Sequence, residues 1–228
     1  MVLCVPYYSS ILTLQRINKL ATSCMNYCGG FMKDKRPPNI VGDGLMALIN
    51  ITLPDGTVNE YASGITCAEV VTDVLGRKHG CLAANVDGIQ RDMSFEIEKS
   101  CSIEGILSQS DEGIHILRHS AAHLLAQAVM ELYPGAKPTI GPAIERGFYY
   151  DFAMDPITES DLKPIQKKMQ ELARKNFTVE RIELSDEELQ QHFADNPYKL
   201  EIINDKIEDG GGSTIYKQGE WYDLCLGP

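Results

Sequence analysis

Two histidines four residues apart, His119 and His123, lie in an apolar stretch of this 228-residue chain. At helical spacing they share a side with His115, Ala122, Ala126 and Met130, while Leu117, Ala121, Leu124, Leu125, Ala128 and Leu132 form the other stripe. Imidazoles titrate near neutral pH and serve as general acids and bases, proton relays or metal ligands; satisfied in a core, they are only packing. The alanines beside them leave room for a lined cavity. A zincin protease needs Glu directly after the first histidine, and Ser120 stands there. Spacing alone leaves the other roles open.

A helix beginning after Gly113 must carry this pair. The segment from Lys137 to Phe152, with Gly/Pro turns and clustered aromatics, predicts a strand beside a loop. A second helix follows, capped by Thr158 or Ser160, with Leu162, Ile165, Met169 and Leu172 inside and Lys163, Lys167, Lys168, Arg174 and Lys175 outside. Ser185 and Glu188 form a capping box for a third, through Leu189 and Phe193. Strand-like runs from Tyr198 onward surround the turn at Gly210, Gly211 and Gly212, which lacks the order of a dinucleotide-binding glycine loop. Upstream, Ile49, Ile51 and Leu53 alternate before the turn Pro54-Asp55-Gly56, and Val58 opens a return strand. Thr66 with Glu69 caps a short helix through Val70, Val71, Val74 and Leu75, and two more strands flank Asp87-Gly88. The class is α+β. Residues 46–108 read as a small β-grasp domain without a catalytic constellation, a binding or scaffolding module, and residues 109–228 as a second α+β domain.

Composition narrows the functions. A net charge of -11 and a pI near 4.9 exclude bulk electrostatic binding to nucleic acid, so any RNA contact is local. Seven cysteines in no regular framework indicate free thiols and a reducing, cytoplasmic setting. Cys24 and Cys28 find no second pair or nearby histidine to complete a metal site. No stretch reaches the roughly 20 apolar residues of a membrane span, and the start lacks the basic residues of a signal peptide. Residues 1–45 carry Arg16, Lys19, Lys33, Lys35 and Arg36 against Asp34 before the Gly/Pro-containing run, and read as a disordered extension or leader. A transit peptide shares that bias but is richer in arginine; Met46 would then be the functional start.

The segments RHSAAHLLAQAV (118–129), GPAIERGFYYDF (141–152), NPYKLEII (196–203) and EWYDLCLGP (220–228), in that order, resemble the N-terminal part of threonyl-tRNA synthetases. ITLPDGTVNEY (51–61) is similar to the small TGS domain that precedes the editing domain in that family. The resemblance covers residues 46–228. It implies an editing domain of the threonyl/alanyl-tRNA synthetase type, truncated before the aminoacylation core, and so no charging of tRNA.

The implied reaction removes serine wrongly esterified to the terminal adenosine of tRNA(Thr). One methyl group separates serine from threonine, worth about 1–3 kcal/mol in a pocket, and a second site that admits only the smaller residue supplies the missing discrimination. Hydrolysis needs a positioned water, a proton acceptor and donors for the oxyanion. By motif match, His119 and His123 take the family's paired histidines, with His119 orienting the adenosine hydroxyls or relaying a proton and His123 supporting it. Lys199 is to position water or stabilise negative charge, and Cys225 to shape the pocket. Tyr150 and Asp223 are the implied substrate-binding residues, Asp223 holding the seryl ammonium or hydroxyl. Expected partners are the acceptor end of tRNA(Thr), its seryl-adenosine moiety and the synthetase core. The family's last motif reads Cys-x-Gly-Pro-His; this chain ends at Pro228, one residue short, and Leu226 stands where arginine is common. No cofactor is expected. The alternative is zinc at His119, His123 and Cys225, as in alanyl-type editing domains. A second function, of another class, is a non-catalytic tRNA-binding or interaction module left from a truncated synthetase.

Overall fold

The computed structural model describes residues 2–6, 47–208, 214–225 and 227; Cys24, Cys28, Met46, the Gly210–Gly212 turn, Leu226 and Pro228 lie outside the described residues. The chain divides into two compact units, one reaching Ile114 and the other taking up at His115. The class is α+β, as the sequence predicts. No helix among the described residues is long and apolar enough to cross a membrane.

Strand β1 (Val2–Pro6) pairs antiparallel with Gly147–Asp151, so the expectation of a disordered extension over residues 1–45 fails at its start. The reason is the open edge of that partner strand, whose unpaired N–H and C=O groups accept a neighbour. Residues 7–45 lie outside the described residues.

In the first unit, β2 (Leu48–Thr52) and β3 (Val58–Ala62) form the predicted hairpin, with Gly56 at φ +84° in the turn. Next come β4 (Ile65–Thr66), α1 (Cys67–Leu75), β5 (Cys81–Val86), β6 (Ile89–Asp92), β7 (Glu96–Ile97) and β8 (Cys101–Leu107). Thr66 Oγ1 accepts from the Glu69 N–H at 3.2 Å and Glu69 Oε2 accepts from the Thr66 N–H at 2.9 Å, closing the predicted capping box. Asp87 and Gly88 both take positive φ between β5 and β6, which suits the twist of a two-residue hairpin. The sheet order is β3-β2-β8-β5-β6, with β2 and β8 parallel. Cys67, Val70 and Val71 of α1 join Ile49, Ile51, Ala84, Val86 and Ile103 in one buried cluster.

α2 (Asp111–Leu132) leads into the second unit. There follow β9 (Lys137–Pro138), β10 (Ala143–Ile144), β11 (Gly147–Ala153), α3 (Glu159–Lys175), β12 (Val179–Glu183), α4 (Asp186–His192), α5 (Pro197–Glu208), β13 (Thr214–Gln218) and β14 (Trp221–Cys225). β11 turns Phe148, Tyr150 and Phe152 into a cluster with Ala121, Ala122, Leu125, Ala126 and Val129 of α2. The alanines on the histidine side are therefore buried against aromatic rings. Thr158 caps α3, its N–H and hydroxyl both donating to Asp161 Oδ2 at 2.7 Å. Leu162, predicted to be inside, is exposed, and Ala173 takes a buried place instead. The strand predicted from Tyr198 is α5: Pro197 suits a first helical position, and Leu200, Ile203 and Ile207 recur at helical spacing against Leu189, Phe193 and Ile215.

Candidate active site

β13 and β14 form an antiparallel hairpin in which Thr214 faces Cys225, Tyr216 faces Asp223 and Gln218 faces Trp221. Alternation sends Ile215, Tyr222 and Leu224 to the cluster on α4 and α5, leaving Asp223, Cys225 and Trp221 for the opposite face. That face meets α2. Cys225 Sγ lies 3.5 Å from His119 Nε2, which is 3.2 Å from His123 Nε2. Two ring nitrogens this close need one proton between them, because two lone pairs repel and two N–H groups clash. His123 Nδ1 is 3.1 Å from Asp223 Oδ2, within ion-pair range though not aligned for a hydrogen bond.

Asp223 anchors the second half of the cluster. Its Oδ1 accepts from Lys199 Nζ at 2.7 Å and from the Leu224 N–H at 2.8 Å, and its Oδ2 accepts the Tyr150 hydroxyl. Lys199 Nζ also donates to Tyr150 Oη at 3.3 Å. Lys199 is 3% exposed, and Asp223 and Tyr150 are 1% exposed each. Buried charges persist only when paired and hydrogen-bonded, and these are. Lys199 reaches this spot because Asn196 caps α5, its Oδ1 accepting from the Tyr198 and Lys199 N–H groups at 3.2 and 3.3 Å. The Asn196 amide also donates to the Pro138 carbonyl at 2.8 Å, tying that helix to the strand beside β11.

Burial works against each charged form, and the partners decide the outcome. For Asp223 the Lys199 ammonium, followed by His123, overcomes desolvation and holds the carboxyl at about 2. For His123 desolvation is outweighed by Asp223 and Cys225, and its pKa rises to about 9. For Cys225 desolvation is outweighed by His119 and His123, and the thiol falls to about 6. Burial and the Asp223 charge push Tyr150 well above 10, so it stays a phenol and donates. The same contacts thus push the His123 imidazole toward its protonated form and the Cys225 thiol toward its thiolate.

All six residues singled out from the sequence, His119, His123, Tyr150, Lys199, Asp223 and Cys225, come together. The surroundings of three of them bear on the roles expected. Asp223, expected to hold the seryl ammonium, has both oxygens occupied and is closed to solvent, and Tyr150 is buried against it. Lys199, expected to act on water, spends its ammonium on Asp223 and Tyr150. These three bond to one another behind the histidine pair. Sequence reasoning missed Trp221, whose ring meets His123 edge-on at 6.0 Å between centroids, although its period-2 spacing from Asp223 and Cys225 puts it on their face. His119, His123 and Cys225 are the described residues able to hold a metal, their donor atoms lying within 4.8 Å of one another.

Comparison with known proteins finds relatives. No family model matches the chain. A threonine–tRNA ligase of Thiobacillus denitrificans is 42% identical over 185 residues, 79% of this chain and 29% of that protein. One of Pelobacter propionicus is 46% identical over 187 residues, 80% of this chain and 29% of that protein. The chain is homologous to threonine–tRNA ligases. A third such ligase, of Streptococcus suis, is 43% identical over 186 residues, and the chain spans under a third of the length of the threonine–tRNA ligases it matches. The resemblance carried by the quoted motifs is thus matched by identity across most of the chain, far beyond the His-x-x-x-His pair with which it begins.

Proposed function

We propose that the chain carries the editing centre of a threonyl-tRNA synthetase, which hydrolyses the ester joining a misplaced serine to the terminal adenosine of tRNA(Thr). The observation that supports this most is the convergence of His119 and His123 on Cys225, which lies 106 residues beyond His119, around one shared proton. Water adds through oxygen to the seryl carbonyl carbon and gives its proton to the histidine pair. The adduct collapses, the bond from carbonyl carbon to ribose oxygen breaks, and the ribose oxygen takes the proton back. Serine and tRNA are released. The Asp223 carboxylate facing His123 raises the basicity of the pair and so favours its taking the proton from water. Threonine is rejected by its extra methyl group.

We read the unit ending at Ile114 as a TGS-like β-grasp module, on the strength of its parallel central pair β2–β8 and the helix packed on the sheet. The acceptor end of tRNA(Thr), a synthetase core and a cytoplasmic setting belong to the same proposal. A non-catalytic tRNA-binding module is the second reading, and it draws on the burial of Tyr150 and Asp223, which closes two expected substrate contacts. Zinc is the alternative to a cofactor-free site. His119, His123 and Cys225 would then be its ligands, backed by Asp223 behind His123, and the ion would polarise water or the ester carbonyl.

Deacylation of seryl- and threonyl-tRNA(Thr) tests the reading, in this chain and in the same chain given a histidine after Pro228. Seryl-tRNA is expected to be hydrolysed and threonyl-tRNA spared, with His119→Ala slower by roughly 10²-fold or more. Binding of tRNA without any loss of the seryl ester in either chain would leave the non-catalytic module standing. One zinc per chain in protein purified without added metal, lost in His123→Ala, would turn the mechanism to a zinc-organised one.

A further inference from the structure

The β13–β14 hairpin carries Asp223 and Cys225 to α2, and its tip is fastened to the same helix beyond the histidines. Gln218 and Trp221 face each other across the turn, which Gly219 opens at φ +62°. Gln218 Nε2 donates to Gln127 Oε1 at 2.6 Å. Gln127 is buried, and its own amide donates to Glu131 Oε1 at 3.1 Å, while Glu131 Oε2 takes Lys168 Nζ of α3 at 3.3 Å. Trp221 Nε1 donates to Met130 Sδ at 3.1 Å, and its ring packs edge-on against His123. His123, Gln127 and Met130 are spaced four and three residues apart, so one stripe of α2 receives both the reacting groups and the fastening.

We infer that Gln127 and Trp221 are positioning residues that set the register of the hairpin on α2, and through it the distances from His119 to Cys225 and from His123 to Asp223. A buried amide satisfies its oxygen and its nitrogen only with partners held at hydrogen-bond distance, so Gln127 fixes the hairpin tip along the helix. Trp221 sits two residues from Asp223 and four from Cys225 in one strand, and a stiff strand passes displacement at the tip on to both. For its effect on turnover this rests on the hydrolytic reading above; its test does not.

The measurement is the NMR resonance pattern of the imidazole nitrogens in the full chain at one neutral pH after chelator treatment, with thermal unfolding in parallel. In Gln127→Met and Trp221→Ala the His123 ring nitrogens are expected to shift from the native pattern toward that of free imidazole. Trp221→Phe keeps a ring against His123 and is expected to stay close to native. A role limited to stability would lower the unfolding midpoint and leave the imidazole resonances in place. Folded Gln127→Met and Trp221→Ala with native imidazole resonances would overturn the inference; if Trp221→Ala does not fold, Gln127→Met decides it on the same terms. The expected shifts in a chain that leaves seryl-tRNA intact would uphold the positioning role and remove only the hydrolytic reading.

Discussion

Replacing Lys199 with Met tests whether the ion pair under the site holds it together. The substitution keeps the length of the buried stem and deletes the ammonium, leaving Asp223 with Tyr150, the Leu224 N–H and His123. The carboxyl stands at about 2 against an ordinary 3.8. That gap of nearly two units, at 1.36 kcal/mol per unit, corresponds to roughly 2 kcal/mol of stability. Because the folded pKa is depressed, this stability is present above pH 3.8 and lost as pH falls through about 2. Stripping one partner from a buried pair costs more, about 3–5 kcal/mol, since the remaining charge stays desolvated. Lys199→Met is therefore expected to lose that much at pH 7, measured by urea unfolding, and the deficit should shrink below pH 4 as Asp223 protonates more readily in the variant. Lys167→Met, which deletes a solvent-exposed pair with Glu171 at 4.0 Å, should cost under about 1 kcal/mol. A Lys199→Met chain as stable as the parent at pH 7, or a deficit that does not change with pH, would refute the reasoning.

The His123–Cys225 pair predicts an unusual pH profile. His123, raised from 6.5 to about 9, contributes stability present below pH 6.5 and lost as pH rises through 9, whereas Cys225, lowered from 9.0 to about 6, contributes stability present above pH 9 and lost as pH falls through 6. The two slopes oppose, so stability is expected to be nearly level between pH 6.5 and 9; because Cys225 is itself one of the groups that raise His123, Cys225→Ala should leave a weaker histidine slope carried by Asp223, with stability still falling as pH rises above 6.5 in urea unfolding. A methyl group at Gly141 would lie 2.1 to 2.8 Å from three Tyr150 ring atoms. Because that ring is pinned by Asp223, Gly141→Ala should cost about 1–3 kcal/mol by the same measurement.

Local chemistry made much of the fold legible. The Thr66–Glu69 and Ser185–Glu188 boxes each need only four consecutive residues, and both helices start where the boxes indicate. The Asp87-Gly88 turn and the Ile49/Ile51 alternation are equally local. Errors fell where the partner is distant. Ile202 and Ile203 resemble a strand until α4 and β13 supply an apolar surface that rewards a helical face, and Leu162 has the right spacing but stays half exposed among the described residues. The site residues were legible by family motif, not by pattern. Their surroundings were not, because saturation of Asp223 depends on groups from β11, α5 and α2 that no sequence window contains.

The strand bearing Asp223 and Cys225 follows every other described element in the chain. During synthesis the ribosome releases α2, β11 and α5 first, so Lys199 and the paired histidines emerge before their counter-ion exists. Neither a lone ammonium nor an imidazolium can enter an apolar interior, and the nascent unit must keep that face hydrated until β14 arrives. Docking of the β13–β14 hairpin would then dry the centre only after the groups it pairs with have emerged.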